Sequence, residues 1–128
     1  MSDDRPVVLL VDDEPRMLSA LKRTLRRAGL AIETASNATE ALERITRTGS
    51  APTVDLVISD HRMPGRTGVE LLAAVREASP GTARILLSGW TSELDPAALR
   101  KAGCAAVLSK PWDNAELKAE IEAALGRG

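Results

Sequence analysis

The sequence has very little of the chemistry that several classes of protein depend on. It contains no Phe, no Tyr and only two tryptophans, Trp90 and Trp112, so it cannot build an aromatic platform on which nucleic-acid bases stack. A single cysteine, Cys104, excludes an intrachain disulfide, and with a single histidine, His61, it cannot supply a structural zinc site. We therefore expect a cytoplasmic protein with Cys104 as a small core residue of a strand.

Long apolar runs and a charge of one sign are also missing. No run approaches the roughly 20 residues of a membrane span, and residues 1–5 are acidic where a signal peptide would be basic and then apolar. Seventeen basic residues against 18 acidic ones give a net charge of -1, which does not favour direct binding of nucleic acid or of an anionic membrane.

The length and composition fit one folded domain. The chain has 128 residues, of which 44% are hydrophobic and 27% are charged, as in soluble globular proteins. We interpret residues 1–128 as a single domain, with residues 126–128 as a tail or the start of a linker.

Apolar runs alternate with helical patterns along the whole chain. Strands are predicted at residues 6–11, 31–35, 54–59, 83–88 and 104–109, because these segments are continuously apolar or rich in β-branched residues. Between and after them, apolar residues recur at spacings of three and four, which indicates helices. Pro15, Asn37-x-x-Glu40, Asp95-Pro96 and Asp113-x-x-Glu116 are typical of helix starts. The pattern predicts an α/β fold, (βα)5, with a doubly wound parallel sheet.

Polar residues follow these strands at the edge where such a sheet binds ligands. Acids follow the first and third strands, a hydroxyl follows the fourth and an amine the fifth; these residues are Asp12, Asp13, Glu14, Asp60, Ser88 and Lys110. Clustered carboxylates are tolerable when a hard cation such as Mg²⁺ lies among them. A carboxylate, a metal, an ammonium and a hydroxyl around one cavity are suited to phosphoryl transfer. Alternatively, the acids complement a helix macrodipole and Lys110 forms an ordinary salt bridge.

The ordered set of these motifs resembles the receiver domain of response regulators in two-component signalling. The resemblance covers essentially the whole chain and rests on Asp12-Asp13, Asp60-x-x-Met63-Pro64-x-x-x-Gly68, Ser88-Gly89 and Lys110-Pro111, in that order. It implies a flavodoxin-like sheet with strand order 2-1-3-4-5, which is the order found in this family.

The resemblance also implies a role for each residue of the site. Asp60 is the phosphoacceptor, which takes a phosphoryl group from a phosphohistidine and becomes an aspartyl phosphate. Mg²⁺ is the implied cofactor, with Asp13, Asp60 and the backbone carbonyl of Arg62 as direct ligands and with Asp12 holding the ion largely through water. Ser88 and Lys110 contact the phosphoryl group, and the Lys110-Pro111 peptide bond is cis. Phosphorylation then biases a surface on the fourth helix, fifth strand and fifth helix.

Several positions depart from the family pattern or modulate it. Val107 stands where receivers usually carry an aromatic switch residue, so Trp90 or Trp112 is a candidate substitute or an anchor for a partner. Arg62 and Trp90 lie two residues beyond Asp60 and Ser88, and a bulky Trp90 predicts a comparatively long-lived phosphoform. His61 is adjacent to the acceptor, and its side chain is expected to point away from it.

The partners implied are a sensor histidine kinase or a phosphotransfer protein, an output partner or a detached effector domain, and a homodimer formed on phosphorylation.

Three rival hypotheses fit less well. A haloacid dehalogenase-type phosphohydrolase needs an acid where Arg62 stands, and a flavodoxin-like flavin carrier needs a phosphate-binding loop where Asp12 and Asp13 stand. An interaction module that is never phosphorylated would not need the complete set of acids, Ser88 and Lys110.

Overall fold

The computed structural model describes residues 5–47, 52–89, 92 and 94–126. In these residues strands and helices alternate, as predicted. The elements are β1 (Val7–Val11), α1 (Pro15–Thr24), β2 (Ala31–Ala35), α2 (Ala38–Thr46), β3 (Leu56–Asp60), α3 (Gly68–Ala78), β4 (Ala83–Ser88), α4 (Pro96–Ala102), β5 (Ala106–Ser109) and α5 (Asn114–Ala124). Trp90 and residues 127–128, which carry two of the sequence predictions, lie outside the described residues.

The five strands form one parallel sheet in the order β2-β1-β3-β4-β5. Leu21 and Leu25 of the α1 region and Leu117 and Ile121 of α5 pack on one face of this sheet. Helices α2, α3 and α4 contribute to the apolar cluster on the other face. The doubly wound (βα)5 fold is therefore confirmed, and no helix within the described ranges is long and apolar enough to cross a membrane.

The central strands are buried on both faces, but the edge strands are not. Every residue of β1 and β3 is buried, whereas β5 has one buried residue and β2 has one. The prediction that the fifth strand begins at Cys104 was wrong, because β5 begins at Ala106. Cys104 lies before the strand, half-buried against the core, and burial raises the pKa of its thiol.

Side chains cap the helices that the sequence patterns indicated. The Asn37 side chain accepts from the Glu40 amide at 2.8 Å and the Asp113 side chain from the Glu116 amide at 2.9 Å. The Asn37-x-x-Glu40 pattern predicts a Glu40 side chain that reaches back to the Asn37 amide; this was wrong, because the Glu40 carboxylate accepts from the amide and hydroxyl of Ser36. A complete capping box is found at the start of α3, between Thr67 and Glu70.

Arg44 is a buried cation that the sequence reasoning did not single out. Its guanidinium binds the Glu33 carboxylate through two hydrogen bonds, at 2.5 and 3.1 Å, and donates to the Pro52 carbonyl at 2.7 Å. The hydrogen bond from Arg44 lowers the pKa of Glu33, although burial opposes this shift. Arg44 thus ties α2 to the edge strand β2 and to the segment that leads into β3.

Replacing Arg44 with alanine is expected to reduce the free energy of unfolding by about 2 kcal/mol at neutral pH, because its hydrogen bonds to the partly exposed Glu33 carboxylate and to the Pro52 carbonyl are lost. The folded pKa of Glu33 is depressed, so the stability from this pair is fully present above the unfolded Glu pKa of about 4.3 and is lost as the pH falls through the folded value. Urea unfolding at neutral and at acid pH measures this, with Arg23→Ala as the control, because Arg23 is an exposed arginine in the last turn of α1. A cost of Arg44→Ala that did not shrink at acid pH would contradict the assignment.

Candidate functional site

Three carboxylates meet at the carboxyl ends of β1 and β3. Asp12 and Asp60 are buried, with 1% and 8% of their surface exposed, while Asp13 is exposed to solvent. One carboxylate oxygen from each of the three lies within 4.8 Å of the others. The strands bring them together because β1 and β3 are hydrogen-bonded neighbours and both end at this edge.

Lys110 reaches the same cluster from the end of β5. Its Nζ lies 2.6 Å from Asp60 Oδ1 and 3.4 Å from Asp12 Oδ2. The backbone amide of Lys110 donates to the Ser88 carbonyl at 2.9 Å, and the Lys110–Pro111 peptide bond is cis. Hydrogen bonding of the main chain therefore fixes the backbone of Lys110, and its ammonium group contacts Asp12 and Asp60 at the ends of β1 and β3.

The electrostatics of the cluster reflect burial and the close approach of opposite charges. Burial raises the pKa of Asp12, in spite of the Glu14 amide and the Lys110 charge, which both lower it. For Lys110, burial by itself lowers the pKa, but the hydrogen bond to Asp60 and the charges of Asp12 and Asp60 together outweigh it and raise the pKa. Lys110 is thus a cation at neutral pH.

The remaining residues of the predicted site lie at the same edge of the sheet or near it. Ser88 is the last residue of β4 and is buried, with 2% of its surface exposed. Arg62 is exposed. Glu14 is also exposed, serves as the N-cap residue of α1 without a side-chain capping bond, and does not join the group of three acids.

Val107 and Trp112 share a groove beside the site. The groove has a volume of about 220 Å³ and its lining includes Val107, Pro111 and Trp112. The Trp112 indole nitrogen donates to the Asn114 side chain at 2.9 Å, and its ring packs on the cluster beneath α1 and α5. Trp112 therefore lies between β5 and α5 in the chain and is hydrogen-bonded to the first residue of α5.

The main chain after Asp60 is held by hydrogen bonds to neighbouring elements. The His61 amide donates to the Leu87 carbonyl of β4 at 3.0 Å, and the His61 carbonyl accepts from the Gly68 amide at 2.8 Å. A Cβ on Gly68 would overlap the Asp60 carbonyl oxygen and would lie 2.8 Å from His61 Cα. Gly68 thus lets α3 begin directly against the backbone of Asp60 and His61.

His61 and Ser59 flank Asp60 in the sequence. The Nδ1 atom of His61 is buried and has no hydrogen-bond partner among the described residues. Ser59 is fully buried in β3 and its hydroxyl donates to the Asp60 carbonyl at 2.9 Å. Sequence reasoning placed Ser59 in a strand but gave it no role; the available signal was a hydroxyl in an otherwise apolar segment.

The donor set fits a magnesium ion. Three carboxylates, of which two are buried, supply the hard oxygen ligands that Mg²⁺ prefers, with an exposed acid on the solvent side. Lys110 neutralises part of their charge. A salt bridge alone would not require three acids around one amine, so the arrangement favours a cation site over macrodipole compensation.

Comparison with known proteins places this chain in a family. The family model described as the response regulator receiver domain matches residues 8–122. The hydrogenase transcriptional regulatory protein HoxA of Cupriavidus necator is 42% identical over 88% of this chain, and the transcriptional regulatory protein GlrR of Escherichia coli is 36% identical over 98%. The chain spans 22% of the length of HoxA and 27% of the length of GlrR.

Solved structures show the same fold. A CheY-like receiver domain protein from Methanospirillum hungatei superimposes with a TM-score of 0.86, at 28% identity, over 96% of this chain and 95% of that chain. The response regulator TrrA from Thermotoga maritima, solved in complex with Mg²⁺ and BeF, has a TM-score of 0.80 and 30% identity, over 94% of this chain and 99% of that one. The chain belongs to the response regulator receiver domains of two-component signalling.

Proposed function

We propose that this receiver domain is a phosphorylation switch in which Asp60 accepts a phosphoryl group from a phosphohistidine of a sensor histidine kinase or a phosphotransfer protein. The observation that carries the proposal is the Lys110 ammonium 2.6 Å from the Asp60 carboxylate, inside a cluster of three acids at the end of the sheet. A nucleophile, a cation and a set of metal-ligand oxygens are thus gathered around one point.

In the proposed step, a carboxylate oxygen of Asp60 attacks the phosphorus and forms the acyl phosphate bond. The bond between phosphorus and the histidine nitrogen breaks, and its electron pair stays on the imidazole. Lys110 exchanges its contact with Asp60 for one with the transferred group, and the Ser88 hydroxyl donates to another of its oxygens. Both side chains already lie at this edge of the sheet, so the step needs little rearrangement.

Asp12, Asp13, Asp60 and the backbone carbonyl of Arg62 would hold Mg²⁺ in this site. When bound, the ion supplies positive charge that offsets the negative charge of the phosphoryl oxygens. Asp12 accepts from the Glu14 amide at 2.9 Å, which fixes its carboxylate toward the cluster. Asp13 is exposed, so its carboxylate can exchange a hydrating water for the ion without first being buried.

The new negative charge would draw Ser88 and the end of β4 toward Asp60 and alter the surface of α4, β5 and α5. Val107 and Trp112 lie on this surface, where their groove of about 220 Å³ leaves room for a side chain to move. We propose that Trp112 reports or transmits the change in place of an aromatic residue at position 107. The output partner is a second protein or a domain joined to this one, as the greater length of HoxA and GlrR illustrates.

Binding of beryllofluoride, a phosphoryl analogue, tests this function. In the presence of Mg²⁺ it is expected to raise the melting temperature of the wild-type protein and to change its tryptophan fluorescence. Asp60→Asn should show neither effect, because beryllium fluoride needs the carboxylate oxygen. A wild-type protein that does not respond, although its fold is intact, would favour an interaction module that is never phosphorylated.

A further inference from the structure

Ser59 is a buried hydroxyl directly before the acceptor residue. None of its surface is exposed, and the other residues of β3 before Asp60 are aliphatic. A buried hydroxyl is costly unless it is hydrogen-bonded, and Ser59 Oγ donates to the Asp60 carbonyl oxygen at 2.9 Å. The Ser59 side chain therefore satisfies the main-chain carbonyl of Asp60.

The Asp60 carbonyl lies where the ladder between β1 and β3 ends. The pairing of β1 with β3 ends at Val11 and Ser59, one residue before Asp60. The next amide of the β1 chain, that of Asp12, donates to the Ala35 carbonyl on the β2 side. The Ser59 hydroxyl thus supplies a hydrogen bond at the point where the ladder between β1 and β3 stops.

With this bond, the acceptor's main chain is restrained from three directions. Ser59 holds the Asp60 carbonyl, the Leu87 carbonyl of β4 holds the His61 amide, and the Gly68 amide of α3 holds the His61 carbonyl. The orientation of these peptide groups sets where the Asp60 carboxylate points. It also sets the path of the chain toward Arg62.

We propose that Ser59 is a positioning residue for the metal site, acting through the main chain of Asp60. The inference rests on the proposed function, since it assigns Ser59 the task of orienting the Asp60 carboxylate and the Arg62 carbonyl toward Mg²⁺. Loss of the hydroxyl removes one of the two hydrogen bonds on the Asp60–His61 peptide group, which is then held only through the His61 amide and can tilt. Groups that hydrogen-bond to metal ligands orient them in this way in many metal sites.

Isothermal titration calorimetry with MgCl₂ tests the inference on the full chain. Ser59→Ala is expected to bind Mg²⁺ about tenfold more weakly than the wild type. The matched control is Thr82→Val. Thr82 is also buried, and its hydroxyl donates to the main-chain carbonyl of Val54 at 2.7 Å. Both residues lie just before the starts of β3 and β4, at the edge of the sheet opposite to the acidic cluster. Thr82→Val should lower the melting temperature but leave the Mg²⁺ affinity unchanged.

The outcomes separate this inference from the function on which it rests. If the wild type binds Mg²⁺ and Ser59→Ala binds it within about twofold as well, Ser59 has only a structural role and the inference is overturned, while the proposed function stands. If the wild type does not bind Mg²⁺, both are overturned. Should Ser59→Ala be unfolded, Ser59→Cys replaces it, since a thiol of similar size is a weaker donor and should give an intermediate affinity.

Discussion

Gly68→Ala is expected to reduce the free energy of unfolding by about 3 kcal/mol, the upper end of the usual cost of overpacking. A Cβ at this position would overlap the Asp60 carbonyl oxygen and would lie 2.9 Å from the Asp60 carbonyl carbon. Both atoms belong to the backbone, so no side chain can rotate to relieve the contact. Either α3 moves away from β3, or the end of β3 moves and displaces the Asp60 carboxylate.

Urea denaturation at neutral pH measures this cost, and Gly81→Ala is the matched control. Gly81 lies in the turn before β4, where a Cβ would meet no atom within 4 Å, so its replacement should change the stability by no more than about 0.5 kcal/mol. If Gly68→Ala proved as mild as Gly81→Ala, α3 would not be seated against the acceptor strand as described. We also expect Gly68→Ala to weaken Mg²⁺ binding, because the displaced backbone carries Asp60.

Asp13→Asn is expected to weaken Mg²⁺ binding and to slow phosphorylation by tenfold or more, which is roughly the cost of losing a ligand or its support in a metal site. Asp13 is exposed, so its replacement should leave the stability of the metal-free protein almost unchanged. Its carboxylate nevertheless lies within 4.8 Å of those of Asp12 and Asp60. A large loss of Mg²⁺ affinity without a loss of stability is the result expected for a metal ligand.

Glu14→Gln is the matched control for Asp13→Asn. Glu14 is the adjacent acid, is equally exposed, and stands at the N-cap of α1 without a side-chain capping bond. If both acids only complemented the α1 macrodipole, the two substitutions would have similar small effects on stability and none on Mg²⁺ affinity. Titration with MgCl₂ and the rate of phosphorylation by acetyl phosphate distinguish these accounts.

The sequence predicted which side chains gather at one edge of the sheet, because strand ends obey a simple geometric rule. Asp12, Asp60 and Lys110 each follow or end an apolar run, and parallel strands place their carboxyl ends on one edge. Nothing further was needed to bring an amine from the end of β5 within 2.6 Å of a carboxylate at the end of β3.

The rule for strand ends does not predict contacts made through the main chain, or contacts between a helix and the sheet. The role of Ser59 depends on where the pairing of β1 with β3 stops, which a single strand's pattern does not show. Arg44 is a buried cation on a helix, and only the position of Glu33 on β2 reveals why it is buried. The start of β5 was misplaced because Cys104 and Ala105 are apolar residues that continue the strand's composition into the preceding turn.

The capping box at Thr67 and Glu70 was visible in principle. It has the same spacing as the caps at Asn37 and Asp113 that the sequence did indicate, with a threonine in the first position. Because it fixes the first turn of α3, it also holds Gly68 against the backbone of Asp60 and His61. A local capping signal therefore indicated both where α3 begins and what lies against the backbone of Asp60.

The intact mass of the protein after incubation with acetyl phosphate and Mg²⁺ tests the central claim most directly. We expect one phosphoryl adduct on the wild type, no adduct when EDTA removes Mg²⁺, and no adduct on Asp60→Asn. An adduct that persists on Asp60→Asn would show that another residue is the acceptor. A wild-type protein that binds Mg²⁺ but remains unphosphorylated by acetyl phosphate and by phosphoramidate would contradict the proposal that Asp60 is a phosphoacceptor.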